Sequence, residues 1–130
     1  MDAKVLNGLS LAYIGDCIYE LYIREHILKK GYNKVNILHK EAIKFTSGEA
    51  QADIIHQMLS ENILNEEELS IFKRGRNSHI HTVRKNLKLA DYLDATGFEA
   101  LLGYLYLNEQ KDRLEELINY SIKKRSGEND

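Results

Sequence analysis

Apolar residues in this chain recur every three or four positions rather than alternating, so the pattern reads as helices nearly throughout. Leu11, Ile14, Ile18, Leu21 and Leu28 form one stripe and predict a first helix from residue 7 or 8 to residue 30, ended by Gly31. Asn33 is placed to cap a second helix carrying Ile37, Leu38, Ala42 and Phe45. Thr46, Ser47 and Gly48 interrupt the pattern, and Ser47 opens a third helix with Ala50, Ile54, Ile55, Met58 and Leu59. Asn65 followed by Glu66, Glu67 and Glu68 is a cap residue with acids in the first turn, the signature of a fourth helix running towards Arg76. Residues 77–90 have weak periodicity and read as a loop. A helix resumes near Asp91 or Asp94 with Phe98, Leu101, Leu102 and Leu105, and a last one follows Asn108 with Leu114, Leu117, Ile118 and Ile122. The expected architecture is all-α, one domain of five to seven helices over residues 1–125, with a polar tail at 126–130.

Composition agrees with this picture. The chain has 130 residues, no proline and 43% hydrophobic residues. Ordinary usage of ~5% would supply about six prolines, and proline breaks helices. One cysteine forms no internal disulfide, which argues against a small secreted scaffold. The apolar run at 9–23 is shorter than the ~20 residues a membrane span needs, and residues 1–4 show no signal-peptide pattern. The expectation is a soluble, cytoplasmic protein without membrane association.

The net charge of −2 conceals an asymmetry. Residues 72–90 hold Lys73, Arg74, Arg76, Arg84, Lys85, Lys88, His79 and His81 and no acid, while the rest of the chain is acidic. The segment reads either as an anion-binding element or as a solvated connection. His79 and His81, with no cysteine or third ligand nearby, do not make a zinc site.

Two helices carry acids where an apolar pattern leaves no place for them. Within residues 9–23 the charged residues are Asp16 and Glu20, spaced i and i+4 on one edge; within 97–107 the charged residue is Glu99. A carboxylate buried without a partner is costly, so proteins pair it, protonate it or coordinate a metal with it. One reading pairs Asp16, Glu20 and Glu99 with Arg24, Lys44 or another base. The other brings Asp16 and Glu99 together, with Glu20 nearby, on a hard divalent cation; Mg²⁺ suits one or two carboxylates and fills its remaining positions with water and phosphate oxygens. Gly15 and Gly103, beside the two sites, would let helices approach closely. Cys17, next to Asp16, reads as a small buried filler, and Tyr13 and Tyr19 as packing residues. Lys40 and Ser47 are further candidates for reaching a phosphate.

LAYIGDCIYE at 11–20 resembles the LEFLGD-type signature of the ribonuclease III catalytic domain, and FEALLGYLYL at 98–107 resembles its second motif. NGLSLAYIGDCIYELYIR, FKRGRN and TGFEALLGYLYL follow in the order of the family's short branch, which consists of the catalytic domain alone. The similarity covers roughly residues 7–120. It implies a homodimeric, all-helical, Mg²⁺-dependent endonuclease for double-stranded RNA, with Asp16 the catalytic acid of the GD motif and Glu99 the metal-binding glutamate. For the short branch it further implies maturation of 23S ribosomal RNA, assisted by a large-subunit ribosomal protein. Two positions depart from the broader family: Ala12 and Thr96 stand where acids are expected, so the four-carboxylate cage shrinks to Asp16 and Glu99, with Glu20 as the available substitute ligand. There is no room for a separate double-stranded RNA-binding domain. Lys73, Arg74, Arg76, Asn77, Arg84 and Lys85 are then the candidates for gripping RNA, whose A-form helix presents mainly phosphates and 2′-hydroxyls. The alternative class is a helical RNA-binding or ribosome-associated module that has lost catalysis.

Overall fold

The computed structural model describes residues 1–78 and 88–127. A short 3-10 turn, Ala3–Val5, precedes six α-helices: α1 (Gly8–Lys29), α2 (Val35–Thr46), α3 (Gly48–Ser60), α4 (Glu66–Arg76), α5 (Leu89–Leu107) and α6 (Lys111–Ser126). There is no strand among the described residues. The all-α expectation holds, and α3 and α4 start where Ser47 and Asn65 predict. Asn7 accepts from the Ser10 amide at 2.8 Å and Ser47 from the Ala50 amide at 3.1 Å. Asn65 and Glu68 form a full capping box, each side chain accepting from the other's backbone amide.

Some expectations need correction. Asn33 does not cap α2; the cap position is Lys34, with no side-chain bond, so α2 is held by packing rather than by a local signal. The helix after the basic segment begins at Leu89, earlier than its acids suggest. The α6 helix continues through Arg125 and Ser126, because the Arg125 guanidinium bonds the Lys44 carbonyl at 3.0 Å and Asp53 at 3.0 Å. The α1 stripe is covered only in part, at Leu11 and Ile18 and partly at Ile14. The buried face of α1 is Leu11, Gly15, Ile18, Tyr19, Ile23 and Ile27, while Leu21 and Leu28 are 63% and 55% exposed. Cys17 is exposed, not a buried filler.

The central pair is α1 against α5, and every other helix packs around it. The two run antiparallel, with Gly15 against Glu99 and Leu11 against Gly103. A Cβ on Gly15 would lie 1.7 Å from the Glu99 carbonyl oxygen, and one on Gly103 would lie 1.9 Å from that of Leu11. Only a missing side chain at both crossings lets the backbones meet so closely. Around this contact Tyr19 and Phe98 stack edge to face with ring centroids 5.2 Å apart, and Leu101, Leu102 and Leu105 of α5 reach Ile54, Ile55 and Met58 of α3 in one continuous core. The Tyr19 hydroxyl is satisfied by donating to the Phe45 carbonyl at 2.9 Å.

Candidate active site

The α1–α5 crossing dictates where the two acids go. Because Gly15 abuts the Glu99 backbone, the residue that follows it, Asp16, is carried to the side chain of Glu99. The two carboxyl groups lie within hydrogen-bonding reach of each other. Asp16 sits at the surface and Glu99 is half-buried behind it. Burial, then the adjoining Asp16, and more weakly Glu20 push the Glu99 carboxyl up to about 8, against a softening contact from Gln51. Two carboxyls in contact, one withdrawn from water, form a site that favours either a proton or a cation.

The bases that would neutralise these acids are engaged elsewhere. Arg24 bonds Glu20 at 3.1 Å and Lys44 bonds Glu41 at 2.8 Å. Among the described residues no lysine or arginine pairs with Asp16 or Glu99. Among the described residues the pairing alternative is met by Glu20, and Asp16 and Glu99 form no such pair. Glu20 remains close enough to act on Glu99 electrostatically, but no group of three or more His, Cys, Asp or Glu side chains placed to hold a metal ion occurs among the described residues. Among the described residues the donors available at this point are two carboxylates. That fits a hard, strongly hydrated divalent cation that takes most of its ligands from water or phosphate.

The predicted RNA-contacting residues divide. Lys73 and Asn77 are exposed at the C-terminal end of α4. Arg74 donates to the Lys4 and Leu6 carbonyls at 2.7 and 3.2 Å, tying down the N-terminal segment. Arg76 donates to Asp94 at 2.6 Å, and His56 meets the other oxygen of that carboxylate at 2.7 Å. Arg84 and Lys85, with His79 and His81, lie outside the described residues. Ser47 is occupied as the α3 cap, and Lys40 is exposed. Tyr13 is 81% exposed one turn before Asp16, whereas Tyr19 is core.

Two residues of this region escaped the sequence reading. Asp94 is 7% exposed and Gln51 is 3% exposed. Both carry a legible signal: Asp94 begins the stripe Phe98, Leu101, Leu105, and Gln51 begins the stripe Ile54, Ile55, Met58, so each is a polar residue on a core-facing edge. Gln51 Nε2 donates to the Thr46 carbonyl at 3.0 Å and contacts Glu99 Oε2 at 3.5 Å.

The Ribonuclease III domain family matches residues 9–110 of the chain. The chain is 53% identical to Mini-ribonuclease 3 of Enterococcus faecalis, over 95% of its own length and 93% of that relative. It is 46% identical to Mini-ribonuclease 3 of Streptococcus pneumoniae, over 98% and 99% respectively. The crystal structure of protein FN1578 from Fusobacterium nucleatum superposes with a TM-score of 0.81 at 34% identity, covering 95% of this chain and 97% of that one. The domain match and the paired acids define the class, a ribonuclease III catalytic domain. The chain belongs to the ribonuclease III family, and within it to the Mini-ribonuclease 3 branch. It is an endoribonuclease for double-stranded RNA, in a family that is metal-dependent and typically dimerises. No helix among the described residues is long and apolar enough to cross a membrane.

Proposed function

We propose that this chain cuts double-stranded RNA by Mg²⁺-dependent hydrolysis, with Asp16 and Glu99 as its catalytic, cation-holding carboxylates. The observation that carries this reading is the meeting of the two acids at the α1–α5 crossing while Arg24 and Lys44 are paired with other carboxylates. Mg²⁺ held there would supply an activated water and neutralise charge on the phosphate. Asp16, at the surface, meets the RNA backbone; Glu99, behind it, anchors the cation from the protein side. Glu20, one turn along α1, adds negative potential. Lys73 and Asn77 face the duplex, joined by Arg84 and Lys85 of the basic segment. Arg74 and Arg76 act first as the braces that hold the α4 end in place.

The enzyme works as a homodimer in the cytoplasm, one site per strand, on the precursor of 23S ribosomal RNA, with a large-subunit ribosomal protein as its assistant. The catalytic domain occupies residues 1–125 and grips RNA through its own basic residues. The test is cleavage of a labelled RNA duplex at low salt, with Mg²⁺ or with EDTA, by wild type, Asp16→Asn and Glu99→Gln. Metal-dependent cuts lost in both variants, with duplex binding retained, support the site. Cuts that survive both substitutions place the active site elsewhere.

A further inference from the structure

Gln51 is the buried polar group for which the site as described has no use. It lies in the first turn of α3, one turn beyond the Ser47 cap, between the buried Ala50 and Ala52. An amide nitrogen has two hydrogens, and both have partners. One goes to the carbonyl of Thr46, the last residue of α2; the other faces Glu99 Oε2 across 3.5 Å. The amide oxygen is different: Oε1 is buried and has no partner. An unsatisfied buried acceptor costs stability, and an apolar residue of the same shape avoids that cost. Packing therefore does not account for glutamine at this position.

The Thr46 bond accounts for it in another way, because it anchors the amide to the α2–α3 junction and aims the second hydrogen at α5. Glu99 needs such a fixed donor. The terminal torsion of a glutamate is broad, and no lysine or arginine among the described residues holds its carboxylate. We propose that Gln51 is a positioning residue that holds one oxygen of Glu99 through Nε2 and so presents the carboxylate to the cation shared with Asp16. This rests on the reading of Glu99 as a cation ligand.

The test uses the full chain and Gln51→Met, which keeps the unbranched shape and removes the donor, with Gln51→Leu as a second apolar variant and Glu99→Gln as the reference. Three properties are measured: Mn²⁺ binding by electron paramagnetic resonance without RNA, thermal melting, and kcat with KM on an RNA duplex. Gln51→Met is expected to melt close to wild type, to bind Mn²⁺ ~10–100-fold more weakly, as loss of an outer-shell partner does, and to lose kcat with little change in KM. Wild-type Mn²⁺ affinity and kcat in Gln51→Met would overturn the inference. So would a lowered melting temperature in both apolar variants with parallel loss of every property, because that marks a purely structural amide. If Glu99→Gln binds Mn²⁺ like wild type, the reading of the site fails and takes the inference with it. If Glu99→Gln loses binding while Gln51→Met keeps it, the inference alone fails.

Discussion

Gly15→Ala places a single methyl group at the point on which both fold and site depend. The added Cβ would lie 1.7 Å from the Glu99 carbonyl oxygen, 2.7 Å from the Glu99 carbonyl carbon and 2.9 Å from the Gly103 amide nitrogen, where ordinary contact begins at 3.4 Å. All three obstacles are backbone of α5, so no rotamer change relieves the clash and the helices must part. Overpacking of this kind costs ~1–3 kcal/mol, and a rigid obstacle belongs at the upper end. Alanine recovers ~1 kcal/mol of helix propensity, leaving a net loss of ~2 kcal/mol. For a chain of this size that lowers Tm by ~6–10 °C. Cleavage suffers beyond the stability loss, because the movement carries Asp16 away from Glu99. Circular-dichroism melts and duplex cleavage well below Tm measure the two effects. Gly48→Ala is the control: a Cβ there meets nothing within 4 Å, and reduced freedom of the unfolded chain stabilises by ~0.4–1 kcal/mol. If Gly15→Ala melts within about 2 °C of wild type, the close crossing is not what sets the site.

Two further expectations concern buried acids of opposite behaviour. The Glu99 carboxyl is raised from 4.5 to about 8 in the folded protein, chiefly by burial and then by Asp16. Between those values the folded state holds a proton that the unfolded chain releases, so stability of the metal-free protein falls as pH rises through this window. Thermal melts in chelator should show that slope in wild type and a flatter one in Glu99→Gln; equal slopes would refute the assignment. Glu68 is 1% exposed, and although burial pushes its carboxyl up, Arg113 at 2.7 and 2.8 Å and the Asn65 amide hold it below the usual range. Its contribution is therefore present above the ordinary carboxylate range and fades on acidification. Glu68→Ala removes two charged bonds from Arg113, which keeps Glu116 and the Ile63 carbonyl, and is expected to cost ~1.5–3 kcal/mol in urea unfolding. A loss below about 1 kcal/mol would mean the pair behaves as a solvent-screened surface bridge.

What the chain announces locally, it announces well. Ser47 and Asn65 mark helix starts because a cap acts within one turn, on amides three residues away. Asp16 and Glu99 were conspicuous for a similar reason: an acid amid apolar neighbours is visible without knowing what it faces. That the two meet is a property of packing alone. It depends on Gly15 and Gly103 at one crossing between residues more than eighty positions apart in the chain. The same holds for the cations. The run from Lys73 to Arg76 looks like a uniform basic patch in one dimension, yet Arg74 is spent on the Lys4 and Leu6 carbonyls and Arg76 on Asp94. Leu21 and Leu28 show the limit of periodicity, since a helix apolar on nearly every side carries no internal sign of which side is covered. Gln51 and Asp94 were each one polar letter on an apolar stripe, and only the helices packed against them show that one touches Glu99 and the other joins Arg76 to His56. Caps and stripes act over a turn of helix, whereas these partnerships come from side chains and backbones that meet only when whole helices cross.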